Sequence, residues 1–219
     1  MREENQMTTQ PQQQTDGKVA ETTRRAELEE TMRRWIDANV RATATGDWQS
    51  TLGAHYTEDA EYRWDIGPDE TFVARGVREI REVAIGYQMQ GFEHWSYPYE
   101  RVIIDDVRGE AVGYWRQVSP FKRADGTSIE VPGMGSSWFR YGGDYKWSHQ
   151  QDLFDLGSVV STLRDLAAAG LLPEPLKKKM QMLARGQQMP GHSRRPEAAS
   201  ALHKLRGNLA LARIALLGR

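Results

Sequence analysis

The 219-residue sequence contains no cysteine. Disulfide bonds, thiolate metal ligands and cysteine nucleophiles are therefore excluded. The chain also lacks any run of about 18 consecutive apolar residues, the length that a transmembrane helix needs. Residues 1–18 are polar and contain no apolar segment of the kind that a secretory signal requires. Together these absences lead us to expect a cytoplasmic protein in a reducing compartment.

Histidine is also scarce, with five residues in the whole chain. His55, His94 and His149 occur singly, without a ligand spacing such as His-x-x-x-His, so we predict no metal site. Each is typical of a surface or core histidine. His94 stands beside Trp95 on an expected strand and is the reserve candidate for a catalytic acid, because imidazole titrates near neutral pH.

Charge is unevenly distributed along the chain. The formal net charge is −1, yet residues 171–219 carry ten Lys and Arg against two Glu, a net charge of +8 that leaves −9 for residues 1–170. An acidic body with a basic tail indicates two segments with different roles. We therefore predict a disordered N-terminal tail over 1–19, an α+β domain over 20–170 and a basic amphipathic helical tail over 171–219.

Apolar residues recur at three- and four-residue spacings from Leu28 to Val40, which predicts a helix over 21–45 ending before Gly46. Asp47 can cap a short second helix, and a third helix is predicted over 77–89. Strands are predicted over 60–65, 71–74, 93–104, 111–120, 134–141 and 147–156. Helices followed by antiparallel strands indicate an α+β fold in which helices cover one face of a curved sheet.

Aromatic residues alternate along the later strands, and we assign them to the outer face of the sheet: Trp95, Tyr97, Tyr99, Trp115, Trp138 and Trp147. An outer face that is so aromatic favours pairing with a second subunit, hence a homodimer. The Gly133-Met134-Gly135 segment lacks the strand–turn–helix context of a phosphate loop, so we predict a flexible rim or bulge there.

The stretch Trp147–Leu156 carries the strongest functional pattern. Alternation along a strand places Gln150, Asp152 and Phe154 on one face, and Trp147, His149 and Leu153 on the other. A carboxylate enclosed at this position would have a raised pKa and could act as a base. The alternative is that Asp152 caps the following turn.

Three segments carry a resemblance to a known superfamily: Gly46-Asp47-Trp48, His55–Tyr62 and Gly76–Ile80. They resemble the nuclear transport factor 2-like superfamily, which includes ketosteroid isomerase, SnoaL-type polyketide cyclases, scytalone dehydratase and limonene-epoxide hydrolase. The resemblance covers about residues 27–156. It implies a cone-shaped curved sheet wrapped on the N-terminal helices, and dimers are common in this superfamily. Many chemistries share the scaffold, so the resemblance is specific for fold rather than activity.

The catalytic residues of ketosteroid isomerase are absent from this sequence. Trp64 occupies the position of the general base of that enzyme. The position of its oxyanion-hole tyrosine lies near Asn39, and that of its protonated aspartate lies near Ser137. The run Gln151–Leu156 instead resembles the end of the sheet in limonene-epoxide hydrolase.

This second resemblance places Asp152 on the base that activates water, Tyr62 on a helping tyrosine and Arg116 on the bridging arginine. Two residues of that enzyme differ here: Trp64 occupies the position of the Asn that holds the water molecule, and Val118 occupies the position of the Asp that acts as the acid.

From this pattern we predict that Arg116 pairs with Asp152 and organises it, with Tyr62 as a hydrogen-bond donor. The expected substrate-binding walls are Trp64, Tyr114 and Phe154, with His94 in reserve. The alternative is a purely structural ion pair between Arg116 and Asp152.

Two functions follow as hypotheses. The first is a SnoaL-like enzyme that needs no cofactor and acts on a small apolar oxygenated molecule; hydrolase, hydratase, isomerase and cyclase chemistry all stay open. The second is a non-catalytic ligand-binding or assembly module. Its basic tail, residues 171–219, would pack on the body or a sister subunit, dock a protein partner or lie on an anionic membrane surface. We expect no nucleic-acid binding, since no aromatic residues interleave with the basic ones.

Overall fold

The computed structural model describes residues 12–67, 69–195 and 200–217. Its helices are α1 (Gln12–Thr45), α2 (Trp48–Leu52), α3 (Gly76–Glu79), which continues as a π-helix over Ile80–Tyr87, α4 (Leu156–Ala168), α5 (Glu174–Ala184) and α6 (Ala201–Leu217). Its strands are β1 (Tyr56–Ile66), β2 (Glu70–Arg75), β3 (Tyr99–Asp105), β4 (Glu110–Lys122), β5 (Ser128–Gly143), β6 (Lys146–Leu153) and β7 (His192–Arg194).

The strands form one curved, unclosed sheet in the order β3-β4-β5-β6-β1-β2-β7. Neighbouring strands are antiparallel except β1 and β6, which run parallel. One core cluster joins side chains of α1, α2 and the α3 segment to the inner face of the sheet. The predicted α+β architecture, a cone-shaped curved sheet wrapped on the N-terminal helices, is confirmed.

Helix α1 buries one apolar stripe and ends where the sequence predicts. Leu28, Met32 and Trp35 are each at most 2% exposed, so the three- and four-residue spacing does face the core. Gly46 follows with φ +74°, a left-handed conformation that glycine adopts without strain. Asp47 then caps α2, because its Oδ1 accepts the Ser50 backbone N–H at 3.0 Å.

The start of α1 differs from the expected one. Of the predicted disordered tail, residues 1–11 lie outside the described residues. Residues 12–19 form the first part of α1, so the described helix begins earlier than the helix predicted over 21–45.

The aromatic strand residues face inward, and the predicted aromatic outer face is wrong. Trp95, Trp115 and Trp147 are buried, and Tyr97 and Tyr99 line an interior cavity. The pairing of β6 with β5 shifts register between Trp147 and His149, which turns Trp147 into the core although its parity is opposite to that of Gln150. The outer face keeps Trp138, which contacts the His149 ring edge-to-face, with 5.0 Å between the ring centroids. The aromatic residues that favoured a homodimer through the outer face therefore lie mostly inside the fold.

The Gly133–Gly135 segment forms the predicted bulge. On β4, Trp115 pairs with Gly135 and Gln117 with Val131, so β5 has two more residues than β4 between these pairs. A Cβ at Gly135 would lie 2.2 Å from the Trp115 ring. Glycine at this position therefore leaves the space that the Trp115 indole occupies.

The C-terminal helices α4 and α5 complete a second core cluster against Trp95. Leu176 of α5 is 3% exposed and packs at Gly91, where a Cβ would lie 2.5 Å from its Cγ. The expected division at residue 170 thus separates two segments that share one core. For α5, the interpretation that the basic tail packs back on the body matches the structure.

Helix α6 differs from α5, because its residues 201–216 are all exposed. An ion pair between Lys204 and the Asp69 carboxylate links it to the body. Its stripe of leucines, Leu202, Leu205, Leu209 and Leu216, is at least 55% exposed. No helix among the described ranges combines the length and apolar character needed to cross a membrane.

We expect Leu176→Ala and Leu205→Ala to have very different effects on stability. Leu176 is buried, so its truncation leaves a cavity and should lower the free energy of unfolding by about 2–5 kcal/mol. Leu205 is 55% exposed, so the same truncation should change it by less than about 0.5 kcal/mol. Urea unfolding of the two variants checks this, and similar losses would contradict the different packing of α5 and α6.

Candidate active site

The concave side of the sheet encloses a cavity of about 310 Å³. Small-molecule sites commonly have volumes of this order. The N-terminal helices, the inner face of the sheet and the C-terminal segment 154–192 all contribute walls. Aromatic rings dominate the lining on the sheet side: Tyr56, Tyr62, Trp64, Tyr97, Tyr99 and Trp115.

Strand β6 places Asp152 in this cavity. Asp152 pairs with Trp64 on β1 and with Ser137 on β5, so these three side chains share the inner face. Gln150 and Phe154 line the same cavity, as the alternation along Trp147–Leu156 predicts. Asp152 keeps some accessible surface because it faces the cavity, although it lies deep within the fold.

Three donors converge on the Asp152 carboxylate. Ser137 Oγ and Gln150 Nε2 donate to Oδ1 at 2.6 and 2.8 Å, and the Tyr62 hydroxyl donates to Oδ2. Three hydrogen bonds to the carboxylate favour its charged form and fix its orientation.

Two of these donors are themselves held by further hydrogen bonds. Trp115 Nε1 donates to Ser137 Oγ at 2.9 Å, which directs the Ser137 proton towards Asp152. The Tyr56 hydroxyl donates to Gln150 Oε1 at 2.5 Å, which leaves the amide nitrogen of Gln150 for the carboxylate. The site is thus a connected network rather than a single contact.

Burial raises the pKa of the Asp152 carboxyl above its usual value, and the hydrogen bonds from Gln150, Ser137 and Tyr62 oppose this effect only in part. Removing a charge from water costs more free energy in an apolar enclosure than these donors return. A carboxylate with a raised pKa is a stronger proton acceptor than an exposed aspartate, which suits a general base.

The neighbouring phenols remain protonated. Burial, together with the Asp152 charge, raises the pKa of Tyr62 and of Tyr56 well above the usual value for tyrosine. Both hydroxyls therefore act as hydrogen-bond donors over the whole physiological pH range.

Arg116 does not meet Asp152, and the predicted pairing of the two is wrong. Arg116 is exposed on the outer face of β4, where it forms ion pairs with Glu100 at 2.7 Å and Glu130 at 3.0 Å. The cross-strand register explains this placement: Gly113 pairs with Ser137, which faces the cavity. Residues 113, 115 and 117 therefore share the inner face, and the alternate positions point outward.

Tyr114 lies at an alternate position of β4, like Arg116, and so points away from the cavity. Its predicted substrate-binding role is therefore wrong. His94 is also misplaced, because it is exposed and its Nδ1 lies 3.2 Å from the Thr43 carbonyl oxygen, outside the cavity. Trp64 and Phe154 do line the cavity, and Trp64 stacks on Phe72 with ring centroids 3.6 Å apart. Tyr62 and Asp152 are the two predicted catalytic residues that the fold brings into contact.

Capping, the alternative role considered for Asp152, belongs to Asp155 instead. Asp155 precedes α4, and its Oδ1 accepts the Gly157 backbone N–H at 2.8 Å. Its Oδ2 accepts the Ser158 hydroxyl at 2.7 Å. The two aspartates of this run thus lie in opposite environments, one enclosed and one exposed.

Sequence reasoning missed several cavity residues. Ser137, Trp115 and Gln117 depend on the strand register, which residue spacing alone does not supply. Lys179 and His192 come from the C-terminal segment, where the stripe Leu176–Leu183 indicated packing but not what it packs around. Within the described residues, no cluster of three or more His, Asp or Glu could hold a metal ion.

No family model and no curated protein matches the sequence. A candidate SnoaL-like polyketide cyclase from Jannaschia sp. CCS1 is similar in structure, with 16% identity, coverage of 63% of this chain and 91% of that chain, and a TM-score of 0.48. PrhC from Penicillium brasilianum NBRC 6234 has 13% identity, coverage of 71% and 97%, and a TM-score of 0.49.

A protein with a ketosteroid isomerase-like fold from Catenulispora acidiphila DSM 44928 has 17% identity, coverage of 61% and 91%, and a TM-score of 0.46. At these identities and TM-scores the similarities identify no activity and no catalytic residue. The chemistry of the site is therefore argued from the geometry of this chain.

Proposed function

We propose that this protein is an enzyme that needs no cofactor and acts on a small, largely apolar oxygenated molecule, with Asp152 as its general base. One observation carries the proposal: a carboxylate with a raised pKa lines an aromatic cavity of about 310 Å³ and is held by three donors. Enclosed carboxyl groups with perturbed pKa values and fixed geometry are typical of active sites.

In this proposal Asp152 accepts a proton from water or from a carbon next to a carbonyl group. Ser137 and Gln150 hold Oδ1, so the unused acceptor capacity is on Oδ2, which Tyr62 shares. Once Asp152 takes the proton, its attraction for the Tyr62 hydroxyl weakens. The Tyr62 proton then becomes available to the developing oxyanion, which makes Tyr62 the donor of the pair.

The identity of the other polar groups favours carbon-acid chemistry over epoxide opening. Asp152 is the only carboxyl group among the described residues that line the cavity, so none of these offers a second carboxylic acid to protonate an epoxide oxygen. Of the three residues that resemble the site of limonene-epoxide hydrolase, Asp152 and Tyr62 lie in the cavity, whereas Arg116 faces outward. Isomerase, dehydratase or cyclase chemistry through an enol or enolate needs only one base and an oxyanion donor.

The alternative function, a binding or assembly module, rests on α6. Its leucine stripe is exposed beside Arg206 and Arg213, as a helix that docks a protein partner or lies on an anionic membrane surface would be. This segment is far in sequence from the network around Asp152. The two functions can therefore be tested separately.

Turnover of a panel of polyketide-like carbonyl compounds, ketosteroids and terpene epoxides tests the enzyme. We expect Asp152→Asn to reduce kcat/KM by about 10²–10⁴-fold, because it keeps the size of the side chain and removes the base. Arg116→Met is the matched control: the sequence pattern assigned Arg116 to the site, but its outward position predicts wild-type turnover. Equal rates for wild type and Asp152→Asn would remove Asp152 from the mechanism.

Stability measurements separate a base from a structural carboxylate. Because the folded state raises the pKa of Asp152, its charge costs folding free energy above the pKa of the unfolded chain, about 3.9. Asp152→Asn should therefore be more stable than wild type at pH 7, and this gain should shrink as pH falls towards 4.

Asp155→Asn is the control, and we expect it to change stability at neutral pH in the opposite direction from Asp152→Asn. Hydrogen bonds from Ser158 and Gly157 lower the pKa of Asp155, so its charge stabilises the fold at neutral pH and this contribution is lost in acid. Thermal unfolding from pH 4 to pH 8 checks both variants. A loss of stability in Asp152→Asn at pH 7 would indicate that Asp152 serves mainly as an acceptor for its three donors.

A further inference from the structure

The C-terminal segment brings a cation to the cavity. Lys179 of α5 is the only Lys or Arg among the described residues of the cavity lining, and it is 8% exposed. The cavity therefore carries one anionic and one cationic group. The two groups have different neighbours: Tyr62, Ser137 and Gln150 donate to Asp152, whereas Lys179 donates to carbonyl oxygens that follow the π-helix. The two charges thus lie in different surroundings within the cavity lining.

The surroundings of Lys179 leave part of its hydrogen-bonding capacity unused. Its Nζ donates to the carbonyl oxygens of Gln88 and Gln90, both at 2.9 Å. An ammonium group has three N–H donors, so one has no acceptor among the described residues. The Tyr87 and Phe92 rings lie 5.1 and 5.9 Å from Nζ, close enough to stabilise a cation without accepting its third hydrogen in a conventional bond.

His192 and Gln88 extend this polar patch. Gln88 Nε2 donates to the Pro190 carbonyl at 3.2 Å and lies 3.2 Å from His192 Nε2. His192 Nδ1 lies 3.6 Å from a Glu70 carboxylate oxygen, and burial lowers the His192 pKa below its usual value. Burial thus favours the neutral form of His192, whereas Lys179 is the lysine of this patch and supplies its positive charge.

Building on the proposed function, we propose that Lys179 is an anion-binding residue, and that the substrate is an apolar ring compound with one carboxylate. Its carboxylate would pair with the free N–H of Lys179 while its reacting carbon lies at Asp152. A charge-assisted hydrogen bond in a largely apolar cavity gives both orientation and selectivity. The two separated charges would then fix the direction in which an otherwise featureless apolar molecule lies.

The structural alternative is that Lys179 only caps the carbonyl groups that follow the π-helix. Such a cap would stabilise the fold but would not distinguish ligands by charge. Burial lowers the pKa of Lys179 to about 8, with Glu93 opposing the shift. Anion binding should therefore be strong at pH 6.5 and weak at pH 9.5, whereas a cap gives no pH-dependent ligand preference.

Tryptophan fluorescence reports binding directly, because Trp35, Trp48, Trp64 and Trp115 line the cavity. The probes are 2-naphthoate and its neutral isostere 2-naphthamide, titrated into the full-length protein. At pH 6.5 we expect 2-naphthoate to bind about tenfold or more tightly than 2-naphthamide, as the loss of a charge-assisted hydrogen bond implies. At pH 9.5 this preference should disappear without any mutation.

Variants assign the preference to one residue. Lys179→Met should abolish it and leave 2-naphthamide binding unchanged, whereas Lys178→Met, an exposed neighbour on the same helix, should keep it. Equal affinities for the two probes in wild type, a preference that survives Lys179→Met, or no binding of 2-naphthoate at millimolar concentration would each overturn the inference. Binding is measured without turnover, so an Asp152→Asn variant that turns over at the wild-type rate and still prefers 2-naphthoate would refute the proposed function and leave the anion site standing.

Discussion

The site depends on a balance between the burial of one carboxylate and the hydrogen bonds that it accepts. Asp152 lies against an aromatic cavity wall, where a charge is costly, and three donors recover only part of that cost. The free energy lost to the fold is the same quantity that makes the group a better proton acceptor. Such local costs are common where a structure serves chemistry rather than stability.

The sheet topology supplies the donors. Tyr62 comes from β1, Ser137 from β5 and Gln150 from β6, so the parallel pairing of β6 with β1 and its antiparallel pairing with β5 meet at Asp152. The N-terminal helices close one side of the cavity. Helices α4 and α5 close another side and share a core with Trp95, which makes the C-terminal segment part of the site rather than an appendage.

The sequence predicted the fold class, the inner face of β6 and the partnership of Asp152 with Tyr62, because these follow from short-range alternation and from the motifs. It misplaced Arg116 and Tyr114, since alternation says which residues share a face but not which face is enclosed. That information is in the pairing of Gly113 with Ser137 across two strands.

Three other features could be established only from the structure and not from the sequence. The register shift near Trp147 reverses a parity that the sequence suggests, and inward-facing aromatic residues have the same spacing as outward-facing ones. The place of Lys179 in the cavity depends on how α5 returns to the body. That return is set by long-range packing, such as Leu176 on Gly91.

Burial in this fold raises the proton affinity of the Asp152 carboxyl group. The most direct test is to follow the side-chain carboxyl carbon signals of ¹³C-labelled protein by NMR from pH 3 to pH 8, with Asp152→Asn used to assign the signal. We expect a midpoint above the ordinary aspartate value of about 3.9. A midpoint at or below that value would show that the three donors dominate, and it would contradict the role of Asp152 as the base.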